Sequence, residues 1–226
     1  MRVLAVGAHP DDVELGLGGT IARHAEDGDE VYVLVLSRGE RGFARDRILV
    51  SGLSEEEAMR TLGNTREEET RAALSFLGVK RDKIEVLSFP DSGIRPSIEA
   101  IEAVSRFFRE LNPDIVYTHF HGDSHLDHVS ASLITVHAGR HAKNLLFYES
   151  PSTWTSFSPN YFVDIGGFVD KKIGALKMHR SQAGKPYMRE EVIRAKAALR
   201  GSQAGVEYAE AFIACRIVKR RGIKLL

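Results

Sequence analysis

One cysteine in 226 residues, Cys215, rules out an intrachain disulfide and suits a reducing compartment. It sits in an apolar stretch, 211–218, and reads as a small core residue rather than a nucleophile. The chain also lacks an excess of either charge. Lys plus Arg and Asp plus Glu are both 31, which removes the electrostatic case for a nucleic-acid or anionic-membrane partner. No run approaches the ~20 apolar residues of a membrane span. The N-terminal apolar run is too short for a signal peptide and is followed by no small-residue cleavage site. These absences predict a soluble, cytoplasmic protein. There is no linker, repeat or low-complexity tract, so one domain over 1–226 is expected. No serine or cysteine elbow is present, which argues against a covalent acyl-enzyme.

What is present is a core and a rhythm. Hydrophobic residues make up 43% of the chain and charged ones 27%, the balance of an ordinary globular protein. Short apolar runs at 2–7, 31–36, 84–88, 114–118 and 145–149, with a later pair near 161–165 and 208–218, read as strands. Continuous runs such as Val31-Tyr32-Val33-Leu34-Val35-Leu36 suit strands buried on both faces, as in a parallel sheet. Amphipathic segments at 20–27, 65–77, 97–110, 128–139, 167–178 and 189–200 alternate with them. Asn64 or Thr65 is the expected cap of the second segment and Gly78 its C-terminal glycine. The alternation predicts an α/β, Rossmann-like, mostly parallel sheet with helices on both faces. Residues 39–60 read as one long irregular connection, with Ser54-Glu55-Glu56-Glu57 hinting at a short helix.

Two strand ends carry chemistry that a buried strand does not need. Val3-Leu4-Ala5-Val6 runs into Ala8-His9-Pro10-Asp11-Asp12, and Ile115-Val116-Tyr117 is followed by His125-Leu126-Asp127-His128. Neutral imidazole nitrogen and carboxylate oxygen are the ligands that zinc and similar ions take. His9 and Asp12 can converge on one ion across the turn that Pro10 sets up. In the second cluster Asp127 offers a carboxylate to orient a ligating or acid–base imidazole. His119 and His121 lie close enough in sequence to leave the choice of ligands open, whereas His24, His137, His141 and His179 read as surface or satisfied core groups. Gly16-x-Gly18-Gly19 has the look of a dinucleotide phosphate loop, but Ile21 stands where the fingerprint needs its third glycine. Asp11, Asp12 and Glu14 would also face the pyrophosphate, so nucleotide binding is not expected.

The motif Ala-His-Pro-Asp-Asp-Val-Glu-Leu-Gly-Leu-Gly-Gly-Thr at 8–20, with His-Leu-Asp-His at 125–128, resembles the PIG-L/LmbE-like family of zinc-dependent N-acetylglucosamine deacetylases. Ser37-Arg38-Gly39-Glu40-Arg41-Gly42, Arg66-x-x-Glu69, Phe89-Pro90-Asp91 and His179-Arg180-Ser181-Gln182 are similar to further family blocks. The resemblance implies a Rossmann-like fold and a Zn2+ ion, or another divalent metal, held by His9, Asp12 and His128 with an open position for water. It implies Asp11 as general base, and a cationic His125 that meets the oxyanion or protonates the leaving amine, with Asp127 holding its ring. Leu126 stands where many members have proline. Asp123 stands where some have a tyrosine, which bears on any tyrosine-assisted step.

The implied reaction is removal of acetyl from an N-acetylglucosamine-type sugar or glycoconjugate. Arg66, with Arg38 and Glu40, is the candidate set for substrate hydroxyls or an anionic aglycone. The resemblance also implies the partners: a small acetamido sugar, and copies of the chain itself as a trimer or hexamer. Two other readings stay open at this point: hydrolysis of a different amide or ester, and a noncatalytic Rossmann-type binding protein with a structural metal.

Overall fold

The computed structural model describes residues 1–42 and 52–218. Its elements run β1 (Arg2–Gly7), α1 (Asp12–Glu26), β2 (Glu30–Val35), α2 (Glu55–Leu77), β3 (Ile84–Val86), α3 (Ile98–Leu111) and β4 (Ile115–His119). They continue with α4 (Leu126–Ala138), β5 (Leu145–Tyr148), β6 (Tyr161–Asp164), α5 (Val169–Leu176), α6 (Glu190–Ala204) and β7 (Ala209–Arg216). The strands form one seven-stranded sheet in the order β3-β2-β1-β4-β5-β7-β6. The first five are parallel, and β7 runs antiparallel between β5 and β6. This is the α/β, mostly parallel architecture that the alternation predicts.

Alternate residues of β1 feed two separate cores, which is what burial on both faces requires. Val3 and Ala5 pack with residues of α1, α2, α5 and α6, while Leu4 and Val6 pack with residues of α3 and α4. Strand order reverses between β1 and β4. A parallel sheet opens a crevice at such a switch point, at the carboxyl ends of its strands.

Three local expectations change. Helix α1 begins at Asp12 rather than near residue 20, because the glycine run does not end a helix here but lets one continue through a break. Leu17 leaves helical geometry (φ −147, ψ 26), which frees backbone groups on either side. The Glu210 carboxylate accepts from the Gly19 and Thr20 N–H groups at 3.0 and 2.6 Å, and the Lys172 ammonium donates to the Leu15 carbonyl at 2.8 Å. The two side chains meet at 2.6 Å. A Cβ at Gly16 would lie 2.3 Å from the Tyr148 ring and one at Gly19 2.8 Å from Ile165, so these glycines serve close packing.

Helix α2 begins at Glu55, where Ser54 and Glu57 form a capping box, and Asn64 and Thr65 lie inside it. Its first two turns bury little, so apolar periodicity does not reveal them. Gly78 closes it at φ 107, as expected. The rest of the expected 39–60 connection falls partly on 43–51, outside the described residues. Cys215 is exposed rather than in the core. Strand β6 covers β7 only through Phe212, and the register slips between Leu145 and Leu146 so that Cys215 has no paired residue on β5.

Candidate metal centre and catalytic cleft

The carboxyl ends of β1 and β4 bring the two histidine–aspartate clusters together. His9 lies two residues beyond β1, His119 ends β4, and His125 caps α4 from outside. Both clusters border a cleft of about 370 Å³, whose wall includes His9, Asp11, Asp12, Arg66, His125 and His128. His9, Asp12 and His128 each offer one ligand atom, all within 4.8 Å of one another. His9 Nδ1 is 3.4 Å from Asp12 Oδ2, and His128 Nε2 is 3.4 Å from Asp12 Oδ1.

Each member of this trio is held from behind. Asp12 Oδ2 accepts from the backbone N–H groups of Ala8 and His9 at 3.1 and 2.7 Å and meets His119 Nε2 at 3.1 Å. His119 Nε2 also lies 3.2 Å from the Ala8 N–H. His128 Nδ1 faces Asp123 Oδ2 at 3.2 Å, and Asp123 also accepts from the Ser150 hydroxyl and from the His125 N–H. His9 Nε2 faces Asp127 Oδ2 at 3.1 Å and Asp91 Oδ1 at 3.3 Å. Carboxylates behind ligating imidazoles fix ring and tautomer, as metal sites require.

Asp127 therefore departs from expectation. Its carboxylate holds His9 and accepts from the Ser92 and Ile94 N–H groups at 2.7 and 3.1 Å. Its backbone N–H donates to His125 Nδ1 at 3.3 Å. With Nδ1 accepting, a neutral His125 ring carries its proton on Nε2. Burial and the charge of neighbouring His128 and His9 hold its pKa below the ordinary value. In the metal-free protein this favours a neutral His125 that donates from Nε2.

Asp11 and Asp12, adjacent in sequence, are separated by backbone geometry. Asp11 has φ 108 and ψ −23, a left-handed conformation that costs a non-glycine residue about 1–3 kcal/mol and is kept where surrounding contacts impose it. Here the contact is Arg66. Its guanidinium donates to the carbonyls of Pro10 and Gly39 at 2.6 and 2.8 Å and lies 3.2 Å from Asp11 Oδ2. Burial raises the Asp11 pKa although Arg66 opposes it. Burial acts the same way on Asp12, but His128 and His119 overcome it and hold that carboxyl well below the usual range. His119 itself is lowered to about 4 by burial and by His128.

Arg38 and Glu40 do not border the cleft. Arg38 pairs with Glu67 of α2 at 2.7 Å, and Glu40 accepts from the Asp91 N–H at 2.9 Å. Asp91, Ser92, Lys185 and Tyr187 border it instead. The Phe89-Pro90-Asp91 run after β3 is a third carboxylate at a strand end, a signal of the same kind as His9 and His119. Lys185 and Tyr187 arrive from the loop before α6 with no local motif to announce them. His24 is a satisfied core residue between Asp29 and Tyr117, and buried His179 faces Glu14 at 3.0 Å.

Residues 4–139 match the family described as PIG-L, GlcNAc-PI de-N-acetylase. The chain is 33% identical over 188 residues to an uncharacterized deacetylase, YaiS, of Escherichia coli K12, covering 79% of this chain and 90% of that one. It is 32% identical over 229 residues to the diacetylchitobiose deacetylase of Thermococcus kodakarensis, covering 92% and 81%. Its fold superposes on GalB, the 4-carboxy-2-hydroxymuconate hydratase of Pseudomonas putida KT2440, with a TM-score of 0.82 at 25% identity, covering 100% and 99%. The chain belongs to the PIG-L family of deacetylases. Among the described residues, no helix is long and apolar enough to cross a membrane.

Proposed function

We propose that the cleft is the active site of a zinc-dependent N-deacetylase acting on an N-acetylglucosamine-type sugar or glycoconjugate. The observation that carries this reading is the convergence of His9, Asp12 and His128, each held from behind, with the second carboxylate of Asp11 beside them in the same cleft. Two imidazoles and one carboxylate are a catalytic zinc donor set, and these three residues would hold the ion. When bound, such an ion is a Lewis acid towards the amide carbonyl and acidifies water.

The remaining work falls to the chain's own groups. Asp11, raised by burial, accepts the proton of the attacking water and returns it to the amine nitrogen as the C–N bond breaks. Arg66 pairs with the Asp11 carboxylate at 3.2 Å and holds it in place. His125 donates from Nε2 to the carbonyl oxygen as negative charge develops there. Asp127 and Asp91 orient His9, and Asp123 orients His128. Arg66, Asp91, Lys185 and Tyr187 supply the wall against which sugar hydroxyls lie. The diacetylchitobiose deacetylase relative supports a substrate of this class.

The test is acetate release from a panel of acetamido sugars. Acetate and free amine should appear in equal amounts, stop with a chelator and return with zinc. No acetate from any acetamido sugar, with turnover instead of esters, nucleoside amides or 4-carboxy-2-hydroxymuconate, would move this cleft to another chemistry.

A further inference from the structure

Glu69, the second half of Arg66-x-x-Glu69, and the run His179-Arg180-Ser181-Gln182 lie behind the cleft wall, and the fold joins them. Ser181 donates from its N–H and from its hydroxyl to the two oxygens of Glu69, at 2.9 and 2.6 Å, and Gln182 donates to the Ser181 hydroxyl at 3.0 Å. Two positions earlier, buried His179 faces Glu14 at 3.0 Å, and Thr70 donates to the same Glu14 oxygen at 2.6 Å. Glu69 is a helical turn beyond Arg66 on one face of α2, and Glu14 follows Asp12 by two residues on α1. The segment is thus clasped to the two helices that carry Asp12 and Arg66, each time close to a residue that borders the cleft.

What the clasp delivers is Lys185. From His179 the chain advances by tight turns. Gln182 donates its N–H to the His179 carbonyl, Lys185 to that of Gln182 and Met188 to that of Lys185, each at 3.0 Å. Buried Gln182 therefore fixes where Lys185 leaves the backbone, and the Lys185 side chain borders the cleft beside Tyr187. Burial lowers the pKa of this half-buried ammonium against the pull of Asp11. Its charged neighbours are already engaged: Arg66 with Pro10, Gly39 and Asp11, and the Asp91 carboxylate with the Arg41 N–H and His9. Among the described residues the Lys185 side chain has no ion pair and no hydrogen bond, and stands 5.9 Å from the centre of the Tyr187 ring. An ammonium has three donors and no acceptor, so these are free for an oxygen of whatever occupies the cleft.

We propose that Lys185 is a specificity-determining residue whose ammonium takes a ring hydroxyl of the sugar, and that segment 179–182, clasped by Glu14 and Glu69, is the device that positions it. The proposal rests on the deacetylase reading of the cleft. It gives the two motifs one purpose, because a clasp on α1 and α2 keeps Lys185 in register with the groups those helices bring to the same substrate. It also separates Lys185 from Arg66, whose donors serve the protein itself.

The experiment measures acetate release from methyl N-acetyl-β-glucosaminide and its 3-deoxy, 4-deoxy and 6-deoxy forms by the wild type, Lys185→Met, Lys185→Arg, Glu69→Ala and Glu69→Gln. In the wild type, removing the hydroxyl that Lys185 takes should lower kcat/KM about tenfold, carried by KM. Lys185→Met should lose the same factor on the parent sugar and use that deoxy form as well as the parent, while Lys185→Arg keeps the discrimination. Glu69→Ala should raise KM and lose the discrimination as Lys185→Met does, with kcat held. Glu69→Gln still offers an oxygen to the Ser181 N–H and should behave as the wild type. Discrimination that survives Lys185→Met overturns the role of Lys185 while leaving deacetylation in place. A Glu69→Ala that loses only kcat, in step with its folded fraction, makes the clasp a stabilising contact and overturns its positioning role. If the wild type releases acetate from none of the four sugars, the deacetylase reading falls and this proposal falls with it.

Discussion

Two buried polar clusters lie along helix α1, and they are finished differently. At its first turn, Asp12 has one oxygen saturated by the Ala8 and His9 N–H groups and by His119, while the other points towards His128. At the break near Leu17, Lys172 and Glu210 fill the opened ladder: the ammonium has the Leu15 carbonyl and Glu210, and the carboxylate has two N–H groups and Lys172. Both sets contain charged groups withdrawn from water, which is costly unless they are paired. The second cluster closes on itself and holds a helix together. The first is satisfied only from behind and presents ligand atoms to a cleft. A structural network and a site thus differ less in burial or charge than in where the last partner is missing.

That contrast sets the order of the expected effects. His128→Ala removes a ligand from the open cluster and should leave the protein without stoichiometric metal and without measurable turnover; retained metal would show that another residue ligates. His125→Ala should keep the metal and lower kcat by about 10²–10⁴-fold, the usual cost of losing an oxyanion or acid–base group. Equal metal loss in this variant would place His125 among the ligands. Lys172→Met acts on the closed cluster. It leaves Glu210 buried without its cation, should cost about 3 kcal/mol in urea unfolding, and should leave metal content at that of the wild type. Metal loss without a stability change would erase the distinction between the two clusters.

The pH dependence sharpens the open cluster further. Burial alone would lower the pKa of His128, but Asp12 and Asp123 push it up to about 9 in the metal-free protein. Below that pH a proton must leave before the ring can ligate. Metal affinity should therefore weaken as pH falls below about 9, by about tenfold per unit for each proton displaced. Titration calorimetry in buffers of different ionisation enthalpy reads the protons released. Affinity that stays level between pH 6 and 9 would contradict the assignment of His128.

The contrast also explains how much was legible in the sequence. The sheet was readable because its strands are continuous apolar runs, and the two histidine–aspartate motifs were readable because His9, Asp11, Asp12, His125 and His128 stand where a strand has no use for them. Partners arriving from elsewhere were not. Asp123 reads as a missing tyrosine until the fold puts it behind His128, and Asp127 reads as a neighbour of His125 although its carboxylate reaches His9 across the switch point. The continuity of α1 through its glycines depends on Glu210, 191 positions from Gly19. No local propensity carries that information. Cys215 misled for a related reason, since an apolar neighbourhood in sequence says nothing of a strand that outruns its cover.

The proposed site divides its labour between two adjacent carboxylates, one for the ion and one for the proton. This division is tested most directly by measuring metal content beside turnover in Asp11→Asn and Asp12→Asn. Asparagine keeps the shape of each side chain and removes its capacity to take a proton or to ligate as an anion. Asp11→Asn should fold, hold close to one metal per chain and turn over about 10²–10⁴-fold more slowly. Asp12→Asn should lose its metal on dialysis. If Asp11→Asn stays fast, or if both variants lose metal alike, the two carboxylates do not divide the work in this way.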